Sequence, residues 1–255
     1  MKVLVIDIGG NSVKVLVSGE TDPRKFPSGA TLTPRQMVSN VLKLTEDWKY
    51  GAVSMGYPGK VRDNQPVTEP FNLGRGWIKF NYRKAFGLPV KVMNDAAMQA
   101  LGSYRGGKML FLGLGTGLGT AMVVEGMVVP MELGHLPYKH ATYEDYLGLR
   151  GLKRLGIRTW RSTVNDVVRR FIGAFDLDEV VIGGGNVNKL EKMPISCRNV
   201  NKLYKMPPGC RAGDNALAFR GGFLLWEKEG AGKRSKAGAK RAGTVKARGK
   251  RRKAK

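Results

Sequence analysis

The chain has 255 residues, 42% of them hydrophobic, which is enough to bury one generous core or two modest ones around a cleft and excludes disorder throughout. A formal net charge of +24 suits polyanionic partners, namely nucleic acid, an anionic membrane or a long phosphate polymer. Only Cys197 and Cys210 are present, too few for a disulfide framework and wrongly spaced for a zinc knuckle.

The opening MKVLVIDIGG has a short apolar run broken by Asp7, which fits neither a secretory signal nor a membrane span, so a cytoplasmic home is expected. Val3 to Asp7 and Val13 to Val17 read as two strands of a hairpin joined by Gly9, Gly10, Asn11 and Ser12. Thr33 offers an N-cap with Pro34 at the first helical position, and Met37, Val41, Leu44 and Trp48 recur at helical spacing. Ala52 to Met55 predicts a buried strand feeding the turn Gly56-Tyr57-Pro58-Gly59. Val90 to Met93 predicts another strand, followed by a helix over Asp95 to Tyr104.

A second glycine-rich hairpin, MLFLGLGTGLGTAMVV, echoes the first and hints at two related lobes. Helices are expected over Tyr143 to Arg154 and Thr163 to Phe175, then a strand over Glu179 to Ile182 ending in Gly183, Gly184, Gly185 and Asn186. Val187 to Gly213 reads as a loop, and Asp214 to Glu227 as a closing amphipathic helix. Residues 231–255 hold twelve Lys and Arg and no acid, leaving +12 on residues 1–230; this tail is expected to be disordered. The expected units are a small α/β lobe over 1–106, a second α/β lobe over 107–230, and the basic tail.

Three glycine-rich turns follow apolar strands, and glycine lets a backbone turn its N–H groups toward an anion. None ends in Gly-Lys-Ser/Thr, so a P-loop is disfavoured. Asp7 closes a buried strand, either as a magnesium-associated carboxylate or as an acceptor in its own turn. Asn94 and Asp95 sit at a strand-to-helix junction, where a carboxylate can take a proton from an alcohol; a plain helix cap is the simpler alternative. Glu132 and His135, three residues apart around Gly134, suit neighbouring sugar hydroxyls; a structural or merely exposed histidine is the simpler alternative, and no further His and Cys cluster supports a metal site. Trp77 is either a sugar-stacking ring or a core tryptophan.

In that order, DIGGNSVK, GYPG, VMNDA, LGLGTGLG, ELGH and GGGN resemble the ROK family of sugar kinases, most closely its polyphosphate-dependent glucokinase branch. The resemblance implies an α/β, actin-like ATPase (ribonuclease H-like) fold with two lobes around a cleft, and phosphorylation of the 6-hydroxyl of glucose. It implies Asp95 as the catalytic base. Asp7, Gly9, Gly10, Asn11 and Lys14 match the first phosphate motif, with Asn11 standing where the family usually has Thr. Gly115, Thr116 and Gly117 match the second, and Gly183, Gly184 and Gly185 match the element that faces adenosine in ATP-using relatives. Asn94, Glu132 and His135 match sugar-binding positions, and the resemblance implies Glu144 as a further sugar-binding carboxylate.

The cysteine cluster that binds zinc in many members is absent from the sequence, so packing is expected to hold the loop after His135, and no zinc is expected. The implied cofactor is Mg²⁺, near Asp7, with polyphosphate or ATP as donor. A homodimer is the expected assembly, the tail is expected to bind polyanions nonspecifically, and no membrane partner is expected. Two other readings compete: a sugar-sensing ROK regulator, although the chain begins directly at the first strand, and a nucleic-acid-binding protein, suggested by a sequence pI of about 10.3.

Overall fold

A computed structural model describes residues 1–191 and 208–227. Strands β1 (Val3–Ile8) and β2 (Ser12–Val17) form the expected hairpin, with Asp7 opposite Lys14, and β3 (Arg24–Pro27) extends it. Helix α1 (Pro34–Leu44) starts at a reciprocal cap between Thr33 and Gln36 and buries Met37, Val38 and Val41. Trp48, expected on that helix, lies beyond its C-cap at Thr45 and packs on the same core under the Arg24 guanidinium.

Next come β4 (Ala52–Tyr57), the small hairpin β5 (Val61–Arg62) and β6 (Gln65–Pro66), helix α2 (Tyr82–Phe86) and β7 (Val90–Asn94). The second half holds α3 (Asp95–Ser103), β8 (Lys108–Leu114), β9 (Leu118–Val124), β10 (Met127–Met131), β11 (Pro137–Tyr138), β12 (Ala141–Thr142), α4 (Tyr143–Leu147) and α5 (Leu149–Phe175). It ends with β13 (Glu179–Gly183), α6 (Asn188–Glu191), β14 (Cys210–Ala212) and α7 over 217–227.

The two large sheets run β3-β2-β1-β4-β7 and β10-β9-β8-β13-β14. Each begins with an antiparallel hairpin, adds a third antiparallel strand outside it, and lays two parallel strands on the other flank. The two-lobe echo seen in the hairpins therefore extends to whole sheets. Strand β4 is buried along its full length because α1 contributes to the core on one side and α7 to the core on the other.

The helices that follow the fifth strands cross over. Helix α3 packs Ala96, Ala97 and Ala100 against Met109, Phe111, Ala121 and Val181 of the second sheet. Helix α7, expected with the second lobe, packs Ala218 and Phe219 against Val3, Val5 and Ala52 of the first. The two helices meet at glycines: a Cβ on Gly102 would lie 1.8 Å from the Leu217 carbonyl oxygen, and one on Gly221 1.8 Å from that of Met98.

Three expectations need correction. The helices predicted to end at Arg154 and restart at Thr163 are one run with a single break, where Gly156 takes φ 71° and lets two segments abut. The helical stretch before it is split at Gly148, which separates α4 from α5. The predicted loop from Val187 to Gly213 contains α6 and the edge strand β14, while its middle, with Cys197, lies outside the described residues, as does the basic tail. Among the described residues no helix is long and apolar enough to cross a membrane.

Candidate active site

The site begins where β7 becomes α3. Asn94 is the helix cap, its side-chain oxygen accepting from the Ala97 N–H at 3.0 Å. Its amide donates to the Gly59 carbonyl at 3.1 Å and to Asp95 Oδ1 at 3.2 Å, which ties the GYPG turn to the acid. Capping is thus done by Asn94, and Asp95 is left in the first turn. Its Oδ1 also accepts from the Ala96 N–H at 2.8 Å. Asp95 keeps some exposure, yet lost hydration is the largest influence on its acidity, and the Asp7 and Glu132 charges add to it. Together they push its pKa up to about 7, against the pull of the backbone donors.

Asp7 is two strands away, at the end of β1, and burial raises its pKa while Lys14 across the hairpin opposes the rise. The strand between them must be slim at this level. A Cβ on Gly56 would meet Met98 Cε at 2.4 Å and the Asp95 Cα at 3.6 Å.

Two of the three glycine turns interlock. The hairpin tip at Gly115, Thr116 and Gly117 turns its carbonyls to the start of α5, where the Leu149 N–H donates to Gly115 O at 3.1 Å and Thr116 O at 3.2 Å. Asn186, following Gly183, Gly184 and Gly185, donates through its side chain to Gly115 O at 2.9 Å and through its backbone to Leu114 O at 2.9 Å. Gly184 takes φ 86° and sits so close to Leu114 that a side chain would strike its backbone. The hairpin also touches the acid's helix, since a Cβ on Gly119 would lie 2.9 Å from that of Ala96. The first turn is held separately: Ser28 Oγ donates to Gly9 O at 2.6 Å, and the Ser28 N–H to Asn11 O at 3.2 Å.

Glu132 and His135 flank a short 3-10 turn, with His135 Nε2 3.3 Å from Glu132 Oε2, both side chains exposed. Thr120 pins this turn by donating to Met131 O and accepting from the Leu133 N–H. Glu144 accepts from the Leu118 N–H at 3.0 Å and presses on Gly117, which bears no side chain to obstruct it. The segment after His135 is fastened by tyrosines. Tyr138 stacks on Tyr143 at 4.8 Å, meets Tyr146 edge-on at 5.0 Å, and donates to Asp166 at 2.7 Å.

Trp77 belongs to the core, fully buried beside Tyr57, and is no sugar platform. Asn72, five residues before it, lies against Gly10 of the first turn, with its Cβ 3.4 Å from where a Gly10 Cβ would stand. Spacing did not point to Asn72, because a lone loop asparagine carries no periodic signal.

A family model described as "ROK family" matches residues 3–146, more than half of the chain. The chain belongs to the ROK family. It is 28% identical over 209 residues to a polyphosphate glucokinase of Mycobacterium leprae, a match covering 73% of this chain and 64% of that relative's length. Among solved structures, the inorganic polyphosphate/ATP-glucomannokinase from Arthrobacter sp. strain KM superposes with a TM-score of 0.72 at 19% identity, covering 88% of this chain and 97% of that one. A ROK family glucokinase from Streptomyces griseus, in complex with glucose and AMPPNP, superposes with a TM-score of 0.66 at 18% identity, covering 88% and 99%. The crossed pair of five-stranded lobes is accordingly the actin-like fold of ROK proteins.

In this ROK chain, a cavity of about 210 Å³ brings together Asn94 and Glu132 with Lys60, Arg62 and Val67. A larger groove of about 750 Å³ lies across Val67, along the outer edge of β7, and contains none of the expected site residues. Size is therefore a poor guide here: the smaller cavity is the one lined by Asn94, the neighbour and hydrogen-bond partner of the perturbed acid.

Proposed function

We propose that this ROK protein is a sugar kinase that moves the terminal phosphoryl group of polyphosphate, ATP or both onto the 6-hydroxyl of glucose, with Asp95 as general base. The observation that carries this reading is Asp95 itself, an acid poised at about 7 between a cavity lined by Asn94 and Glu132 and the glycine hairpin that touches the first turn of its helix. In the proposed step the hydroxyl oxygen forms a bond to the terminal phosphorus, and the bond from that phosphorus to the donor's bridging oxygen breaks. The bridging oxygen leaves with the electron pair, and the hydroxyl proton passes to Asp95.

Asn94 and Glu132 hold the acceptor, with His135 beside Glu132; Glu144 supports the hairpin that faces the donor. The donor phosphates lie on the turns at Gly9 to Asn11 and Gly115 to Gly117, near Lys14 and the positive end of α5. Gly183, Gly184 and Gly185 contribute the far wall. Mg²⁺ suits this set: it binds through one or two carboxylates plus substrate phosphates, and Asp7 is a desolvated carboxylate at the foot of the first turn. When bound it neutralises phosphate oxygens. The tail at 231–255 raises the local concentration of long polyanions.

A glucose phosphorylation assay run in parallel with polyphosphate and ATP tests the reading. Glucose 6-phosphate is expected with at least one donor; its absence with both would sink the proposal. Deleting 231–255 is expected to raise KM for long polyphosphate at low salt, and an unchanged KM removes the tail from donor capture.

A further inference from the structure

We propose that the acceptor cavity accommodates a sugar already bearing a negative charge, a hexose monophosphate, and that Lys60 and Arg62 select it. This rests on the reading of Asn94, Asp95 and Glu132 as the acceptor end. Both cations line the 210 Å³ cavity together with Asn94 and Glu132, and none of the glycine-turn residues lines it. Their charge is thus offered to the acceptor side. Glu132, which also lines the cavity, has His135 Nε2 3.3 Å from its Oε2, and among the described residues no ion pair involves Lys60 or Arg62.

The backbone that presents these cations is fixed at both ends. At one end, Asn94 donates to Gly59 O, the Lys60 N–H donates to Thr68 Oγ1 at 3.0 Å, and the Val67 N–H donates to Lys60 O at 2.9 Å. At the other, Asp63 and Asn64 take φ 48° and 64°, the left-handed pair of a tight hairpin turn. The Asn64 side chain donates to Val90 O at 2.9 Å and accepts from the Val92 N–H, locking the hairpin to β7. Lys60 and Arg62 are exposed, and a neutral hexose in the cavity offers their charges no counter-ion. Phosphate oxygens would take charge-assisted hydrogen bonds from both.

The chemistry is the same transfer: the free 6-hydroxyl oxygen bonds to the donor's terminal phosphorus, the donor's bridging oxygen leaves with its electron pair, Asp95 takes the proton, and the product is a hexose bisphosphate. The test compares kcat/KM for glucose, methyl glucoside, glucose 1-phosphate and glucose 3-phosphate at constant ionic strength, using the full chain. At least one phosphorylated hexose is expected to exceed the neutral glucoside by about tenfold, through KM. That ratio is expected to fall toward one in the Lys60→Gln/Arg62→Gln double variant. Wild-type ratios at or below one for both phosphates, or a preference unmoved in the double variant, overturn the proposal while glucose turnover leaves the kinase reading intact. Should no acceptor be phosphorylated, the kinase reading fails, and calorimetric titration with glucose 1-phosphate decides the cavity alone: binding lost in the double variant supports it, and no wild-type binding overturns it.

Discussion

The two halves of this protein repeat one plan and use it differently. After its fifth strand, the first half places Asn94 and Asp95 at the head of α3; after its fifth strand, the second half places Asp214 and Asn215 just ahead of α7. In both, an asparagine side chain reaches a neighbouring strand's terminal turn, Asn94 to Gly59 O and Asn215 to the Gly184 N–H. The acids part ways. Asp95 is desolvated and crowded by Asp7 and Glu132, whereas Asp214 is exposed and accepts from the Ala216 N–H two residues on. The difference teaches that the acidity of a strand-to-helix carboxyl is set by what surrounds it, and topology alone does not fix it.

The comparison is broken most sharply by exchanging the acids' charge. Asp95→Asn is expected to lower kcat by about 10²-fold or more, while Asp214→Asn stays within about twofold, as steady-state phosphorylation of glucose will read. Equal losses would mean that the two positions are not functionally distinct. Next in size is the glycine crossing shared by both halves. Gly102→Ala or Gly221→Ala forces a methyl into a backbone carbonyl and is expected to cost about 1–3 kcal/mol of stability in denaturant titration.

A pH series sharpens the same contrast. The Asp95 carboxyl is held above its unfolded value of 3.8, so its contribution to stability is complete below that value and is lost as pH rises through about 7. Asp95→Asn is therefore expected to raise Tm above pH 7, by about 3 °C or more, and to do less at pH 4, while wild-type kcat/KM climbs through pH 7 as the base is freed. The smallest effect is expected at Asn215→Ala, which removes the acceptor shared by the Gly184 N–H and Gln99: about 1 kcal/mol, with KM for the donor rising more than KM for the sugar.

Much of the first half was legible because local and global preferences agree there. Thr33 and Pro34 announce α1, and Asn94 with Asp95 mark a junction whose acid has little to do as a cap once its neighbour has taken that role. The glycine turns were visible as glycines, but their mutual bracing through Asn186 and Leu149 joins residues dozens of positions apart and has no periodic signature. Trp77 was ambiguous, since an aromatic beside a cleft motif and one filling a core look alike until burial is known. Strand β14 was hidden because three residues among prolines and glycines make a strand only when β13 offers them an edge. The gap expected between Arg154 and Thr163 shrinks to a break at Gly156, and the helix resumes at once because Trp160 and Val164 bury fully in the second lobe's core.

Helix α7 roofs the sheet that the first residues build, with Ser54 Oγ donating to Gly222 O and Trp226 Nε1 donating to Ser54 Oγ. During synthesis, Val3, Val5 and Ala52 therefore leave the ribosome long before the surface that shelters them exists. The first sheet lacks part of its cover until residues 217–227 have been made, and a product terminated before them would expose that apolar face.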